Sequence, residues 1–272
     1  MSYRIEPHRP VGPELHRIAL EQLDRAGVLQ DDAALTPAKR VHEVRKRFKM
    51  LRALMRLIDK RREQKHIRDI ARQLSASRDA AVMAATFDLI AEPGTEEALR
   101  QFFHAQAERA ASSAAPTTDV HRPLRESRAR VAGWDLDDFD FYDLVRSVTG
   151  TYRKGRRAYE QACEFPSSES THDWRKRVKD HWYHMRLMVN VCGGIADPRR
   201  EQLDRLGELL GDANDCAVLR DAVMAQDPTA GILAKIDRRR DELVRDGLAL
   251  GNELYAAKPK EFARSLLHCH LG

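Results

Sequence analysis

VHEVRKRFKMLRALMRLI at residues 41–58 and THDWRKRVKDHWYHMRLM at residues 171–188 are one pattern written twice. At an offset of 130, eight of eighteen positions are identical: His42/His172, Arg45/Arg175, Lys46/Lys176, Arg47/Arg177, Lys49/Lys179, Met55/Met185, Arg56/Arg186 and Leu57/Leu187. Unrelated segments of average composition would share about one. A second pair follows in the same order, LSASRDAAV at 74–82 and LGDANDCAV at 210–218, sharing Leu74/Leu210, Asp79/Asp215, Ala81/Ala217 and Val82/Val218. Self-similarity of this kind marks a supersecondary unit used twice.

Helical spacing sorts each copy into two faces. At 100° per residue, His42, Arg45, Lys46, Lys49, Arg52, Arg56 and Lys60 fall in one stripe, while Val41, Val44, Phe48, Leu51, Leu54, Met55 and Ile58 fall opposite. In the second copy His172, Arg175, Lys176, Lys179 and Arg186 oppose Trp174, Val178, Met185 and Met188. An ordinary solvated face mixes signs, because Glu/Lys pairs four apart stabilise a helix and like charges repel. Cations without acids therefore point to a bound polyanion that removes the repulsion. The segment YDLVRSVTGTYRKGRRAYEQA ahead of the second copy extends the basic surface through Arg153 and Arg157, if the two helices form an antiparallel hairpin.

The rest of the chain favours helix, rich in Ala, Leu, Arg, Glu and Lys with few alternating β-branched runs. Thr36-Pro37 reads as an N-cap followed by Pro at the first helical position, and Ser170 with Asp173 as a capping box near 171. Glu92-Pro93-Gly94 and the run AASSAAPTTDVHRP are the clearest breaks. The expected architecture is all-α: two four-helix bundles related by a pseudo-twofold axis, an N-terminal bundle at 1–112, a linker at 113–123 and a C-terminal bundle at 124–272.

Charge is segregated along the 272 residues. The net charge of +5 hides a segment, residues 39–72, with fourteen lysines and arginines against four acids; the remainder carries 33 basic and 38 acidic side chains. A field of this shape attracts polyanions, whether nucleic acid, membrane or another phosphate polymer. No apolar stretch approaches the roughly 18 residues of a membrane span, and no signal-peptide core opens the chain, so a cytoplasmic location is expected. Cys163, Cys192, Cys216 and Cys269 are too far apart for a metal knuckle and are expected to be reduced thiols. No GxxxxGK[ST] loop, nucleophile constellation or paired carboxylates suggest an enzyme. His181 and His184, three apart, and His268-Cys269-His270, read as an unstructured tail, are weak metal motifs, so neither metal nor cofactor is expected.

The paired HxxRKRxK helices, each followed by Leu-(Gly/Ser)-x-x-(Arg/Asn)-Asp-x-x-Val and preceded in the second half by TYRKGRRAY, resemble the CHAD domain, the conserved histidine α-helical domain, over roughly residues 10–268. The resemblance implies a helical fold with internal pseudosymmetry that binds inorganic polyphosphate in a basic groove or channel. It implies contacts from His42, Arg45, Lys46, Lys49, Arg52 and Arg56, and from His172, Arg175, Lys176, Lys179 and Arg186. Trp182 stands where the first copy has Arg52, so the channel is expected to be asymmetric. Many relatives carry a triphosphate-tunnel enzyme domain with a Glu-x-Glu-x-Lys signature; this chain has no such signature, and a stand-alone, non-enzymatic binding domain is expected, associated with polyphosphate granules. The rival reading is a sequence-nonspecific nucleic-acid binder, since counterion release would favour DNA or RNA on the same surface. Against it, the first stripe has no Asn, Gln or aromatic side chain to read or stack on bases. A protein that recruits others to polyphosphate is a third class compatible with these residues.

Overall fold

The computed structural model describes residues 3–74, 78–112, 120–226 and 229–271, and among these the regular elements are all helices. They are α1 (Val11–Asp31), α2 (Pro37–Leu57), α3 (Arg61–Gln73), α4 (Arg78–Ile90), α5 (Glu97–Ser112), α6 (His121–Ala132), α7 (Phe141–Glu164), α8 (Ser168–Met188), α9 (Gly193–Met224), α10 (Ala230–Leu254) and α11 (Pro259–Leu271). The two repeated segments are α2 and α8. Thr36 caps α2, its hydroxyl accepting from the Lys39 amide at 3.4 Å with Pro37 behind it. The start of α8 lies earlier than the Ser170/Asp173 reading: Ser167 is the cap and Ser170 its reciprocal partner, which leaves Asp173 to pair with Lys176.

The apolar stripes are buried as their spacing requires. Val44, Phe48, Leu51, Leu54 and Met55 on α2, and Trp174, Val178, Met185 and Met188 on α8, are fully enclosed, each worth about 1.5–3 kcal/mol in transfer terms. Trp174 is seated over Gly251 of α10, where a Cβ would come within 2.6 Å of the indole and 2.8 Å of Tyr159; any side chain there would lift α8 off its bed.

Two apolar clusters organise the molecule, and each draws helices from both sides of residues 113–123. One joins α1, α2, α3, α6, α7, α8 and α11 with the earlier part of α9 and the end of α10; the other joins α4 and α5 to the later part of α9 and to α10. Residues 113–119 of the expected linker lie outside the described residues, and 121–123 are already the first turn of α6, which packs on α1 and α3. Residues 210–218 run through the interior of α9; of the matching 74–82, Leu74 caps α3, residues 75–77 lie outside the described residues, and α4 begins at Arg78.

α2 and α8 cross directly. His184 Nε2 donates to the Ala53 carbonyl at 2.9 Å, and the N-terminal segment ties both helices, Tyr3 donating to the Met50 carbonyl and the Ile5 amide to that of Leu187, each at 2.9 Å. His181 and His184 are enclosed, so they serve the core. Burial pushes the His184 imidazole from its ordinary 6.5 down to about 4, and pushes His181 down as well. A histidine held neutral in the fold but free to charge when unfolded withdraws stability as pH falls below 6.5, until the folded value is reached. His184 alone should cost about 2.5 kcal/mol between pH 7.5 and 4.5. Urea unfolding at the two pH values should show this loss reduced in His184→Gln, which keeps a donor for Ala53 and cannot titrate. An unchanged pH difference in the variant would assign the loss elsewhere.

Two cysteines depart from the reduced-thiol expectation. The residues read as a tail form the last turns of α11, which brings Cys269 to Cys192 at the α8–α9 corner, and the two are joined as a disulfide with Cα atoms 5.4 Å apart. Seventy-seven residues separate them, so the bond restrains the unfolded chain by roughly 4 kcal/mol in the loop-closure model. Sequence spacing could not show this, because the approach depends on α11 folding back onto α7 and α9. Cys163 and Cys216 are unbonded.

Candidate functional site

The cationic stripes of α2 and α8 open onto one cavity of about 860 Å³, with α3 and α9 completing its walls. α2 contributes His42, Lys46, Lys49, Arg52 and Arg56; α8 contributes Arg175, Lys176, Arg177 and Lys179. Smaller clefts share these side chains. Arg45, Lys49 and Arg52 meet Arg68 and Arg72 of α3 around 270 Å³, and Arg45, Lys49, His172 and Arg175 meet Thr86, Asn214 and Asp215 around 490 Å³. On the α7 side, Arg177 meets Lys154 and Arg157 around 430 Å³. Lys49 thus borders three openings, and Arg175 and Arg177 two each.

Helical periodicity explains why these side chains converge. Positions 42, 45, 46, 49, 52 and 56 share the face opposite the core stripe of α2, and the crossing at Ala53 and His184 turns that face toward its counterpart on α8. Two glycines of α9 stand where cations of α8 pass. A Cβ at Gly207 would come within 2.8 Å of Lys179 Nζ, and one at Gly211 within 3.4 Å of the Arg175 guanidinium.

The cavity is electrostatically crowded. Burial, then the neighbouring Arg56, holds the Arg52 guanidinium below its ordinary range, and burial lowers the Lys179 ammonium although Asp204 lies 3.8 Å away. Both directions register the cost of confining positive charge, which an anion would relieve. The buried Nε atoms of Arg52 and Arg175 have no acceptor among the described residues. Such donors are expensive to leave unmade and suit an oxygen-rich ligand.

Three carboxylates enter the same lining: Asp180, Asp204 and Glu208. Asp180 is ion-paired with Arg56 across the crossing and lies 3.7 Å from Arg177. On the rim, Lys176 pairs with Asp173 at 2.8 Å and Lys46 approaches Glu43 at 3.8 Å. Arg45 donates to the Leu74 carbonyl at 3.3 Å, and His172 Nδ1 lies 2.8 Å from Asn214 Oδ1.

Two residues of the expected set stand apart. Arg186 does not line the cavity: its guanidinium lies over Trp182, 4.9 Å from the ring centre, and near Tyr3 at 5.7 Å. The indole that replaces Arg52 in the second copy intervenes. Arg153 is exposed on α7 and borders none of these openings, while Arg157 does. Sequence reasoning overlooked Arg177, which falls outside the stripe at helical spacing; its counterpart Arg47 is turned to Gln22 of α1, at 3.2 Å, and to Glu43. It also overlooked Asp180, Asp204 and Glu208, which no charge pattern on one helix assigns to a shared cavity.

Among the described residues no helix is long and apolar enough to cross a membrane. A family model described as CHAD domain matches residues 14–223. Among solved structures, the crystal structure of the CHAD domain from the plant Ricinus communis superposes with a TM-score of 0.60 at 16% identity, covering 98% of this chain and 95% of that one. At this identity the likeness concerns the fold alone. No curated protein matches the chain.

Proposed function

Because the chain belongs to the CHAD domain family, we propose that it is a binding module for inorganic polyphosphate, seated in the cavity between α2 and α8, and that it performs no chemistry on the polymer. The observation that carries this reading is the convergence of two basic helix faces, 130 residues apart, on one cavity. Guanidinium forks at Arg52 and Arg175 engage pairs of phosphate oxygens, and the ammonium groups of Lys46, Lys49, Lys176 and Lys179 follow a flexible chain as mobile point charges. Two of the three carboxylates in the lining are committed to cations, Asp180 to Arg56 and Arg177 and Asp204 to Lys179, and the third, Glu208, is exposed. The reading extends to a cytoplasmic protein associated with polyphosphate granules.

Nucleic acid is the rival ligand. A phosphate-only chain favours a cavity floored by arginines and lysines, whereas single-stranded nucleic acid needs aromatic platforms between the cations. Here Lys179 and Arg186 both lie over the Trp182 ring. Competition decides the matter. Long-chain polyphosphate is expected to displace labelled RNA or duplex DNA at equal phosphate concentration, with tripolyphosphate and ATP far weaker. Displacement of bound polyphosphate by RNA or DNA would overturn the reading.

A further inference from the structure

Asp180 is an anomaly in a cavity built to hold anions. It is buried, yet it lines the cavity, and its carboxylate is shared between Arg56 of α2 and Arg177 of α8. A carboxylate offers a guanidinium the same pair of oxygens that a phosphate does, so these two groups already have an anionic partner within the protein. The internal repeat shows that the helix packing does not require this arrangement. The position matching Asp180 is Met50, and the position matching Arg56 is Arg186, which is covered by aromatic rings instead.

We propose that Asp180 is an internal competitor of the anionic ligand, filling a phosphate seat between Arg56 and Arg177 that a polyanion must take over. This inference rests on the cavity being an anion site. Its consequence is selectivity. A short phosphate meets a seat already neutralised, whereas a polymer held elsewhere along the cavity delivers its next phosphate at high effective concentration and displaces the carboxylate. The site thereby discriminates by chain length and releases its ligand more readily than an uninterrupted cationic cavity would.

The test compares native protein with Asp180→Asn, which keeps the shape and removes the charge, by titration with long-chain polyphosphate, tripolyphosphate and heparin. Long-chain polyphosphate is expected to bind at least tenfold more tightly to the variant, and tripolyphosphate to gain more than the polymer does. Affinities within twofold of native, or weaker, in a variant with native circular dichroism would overturn the inference. Should Asp180→Asn fail to fold, Asp180→Ser, which also removes the charge and keeps a hydroxyl for Arg56, carries the test with the same expected gain and the same overturning result. If native protein binds no polyphosphate, the proposed function fails, and the heparin arm still reads whether Asp180 opposes a polyanion.

Discussion

Combining Lys49→Glu with Arg175→Glu is expected to weaken binding of long-chain polyphosphate at least a hundredfold at low salt while leaving the helical circular dichroism unchanged. These positions carry the largest leverage because they border several openings at once: Lys49 three, Arg175 two. Each substitution changes the local charge by two units. At an effective dielectric constant near 20, a unit charge about 6 Å from a phosphate is worth about 3 kcal/mol, so the hundredfold loss, about 2.7 kcal/mol, is well within reach after screening. The fold should survive, because neither side chain belongs to the apolar clusters. Arg153→Glu is the control at half the charge change, with an expected loss below threefold, since Arg153 is exposed on α7 and borders no described opening. A loss of about tenfold in Arg153→Glu, half the logarithmic loss for half the charge change, measured by fluorescence titration, would show that net charge alone governs affinity.

A second large effect is expected from salt. Because Arg56 and Arg177 only exchange the Asp180 carboxylate for a phosphate, they add little to the counterions released, which leaves Lys46, Lys49, Arg52, Arg175, Lys176 and Lys179 of the cavity to set the salt dependence. Six contacts, with the coefficient of about 0.7 per contact for single-stranded phosphate polymers, give a slope near −4 in log affinity against log salt. Raising salt from 50 to 200 mM should therefore reduce affinity about 300-fold. A slope shallower than about −1.5 would mean that one or two phosphates are held, which contradicts a polymer lying along both helices. The double glutamate variant should also show a shallower slope, since it forms fewer contacts.

Much of this arrangement is legible in the chain itself, and the reason is local. The faces of α2 and α8 follow from residue spacing, because a helix fixes where each side chain points relative to its own axis. Capping residues mark where α2 begins, and the eight identities between the two segments announce that whatever one stripe does, the other shares. The bond between Cys192 and Cys269 is not legible, since a separation of 77 residues says nothing about where α11 comes to rest. Nor is the difference between Arg47 and Arg177, identical in the repeat: one turns to α1, the other to the cavity.

The sequence by itself thus determined the helices, their apolar and basic faces, the doubling of the unit and the kind of ligand such faces suit. Only the tertiary structure decided which cations are available to that ligand, because neutralisation depends on groups far apart in the chain. Arg56 is matched by Asp180, 124 residues on, and Arg186 is covered by Trp182 and by Tyr3, which the N-terminal segment brings in. A helix sets the direction of its side chains, but the crossing of α2 over α8 sets what each of them meets.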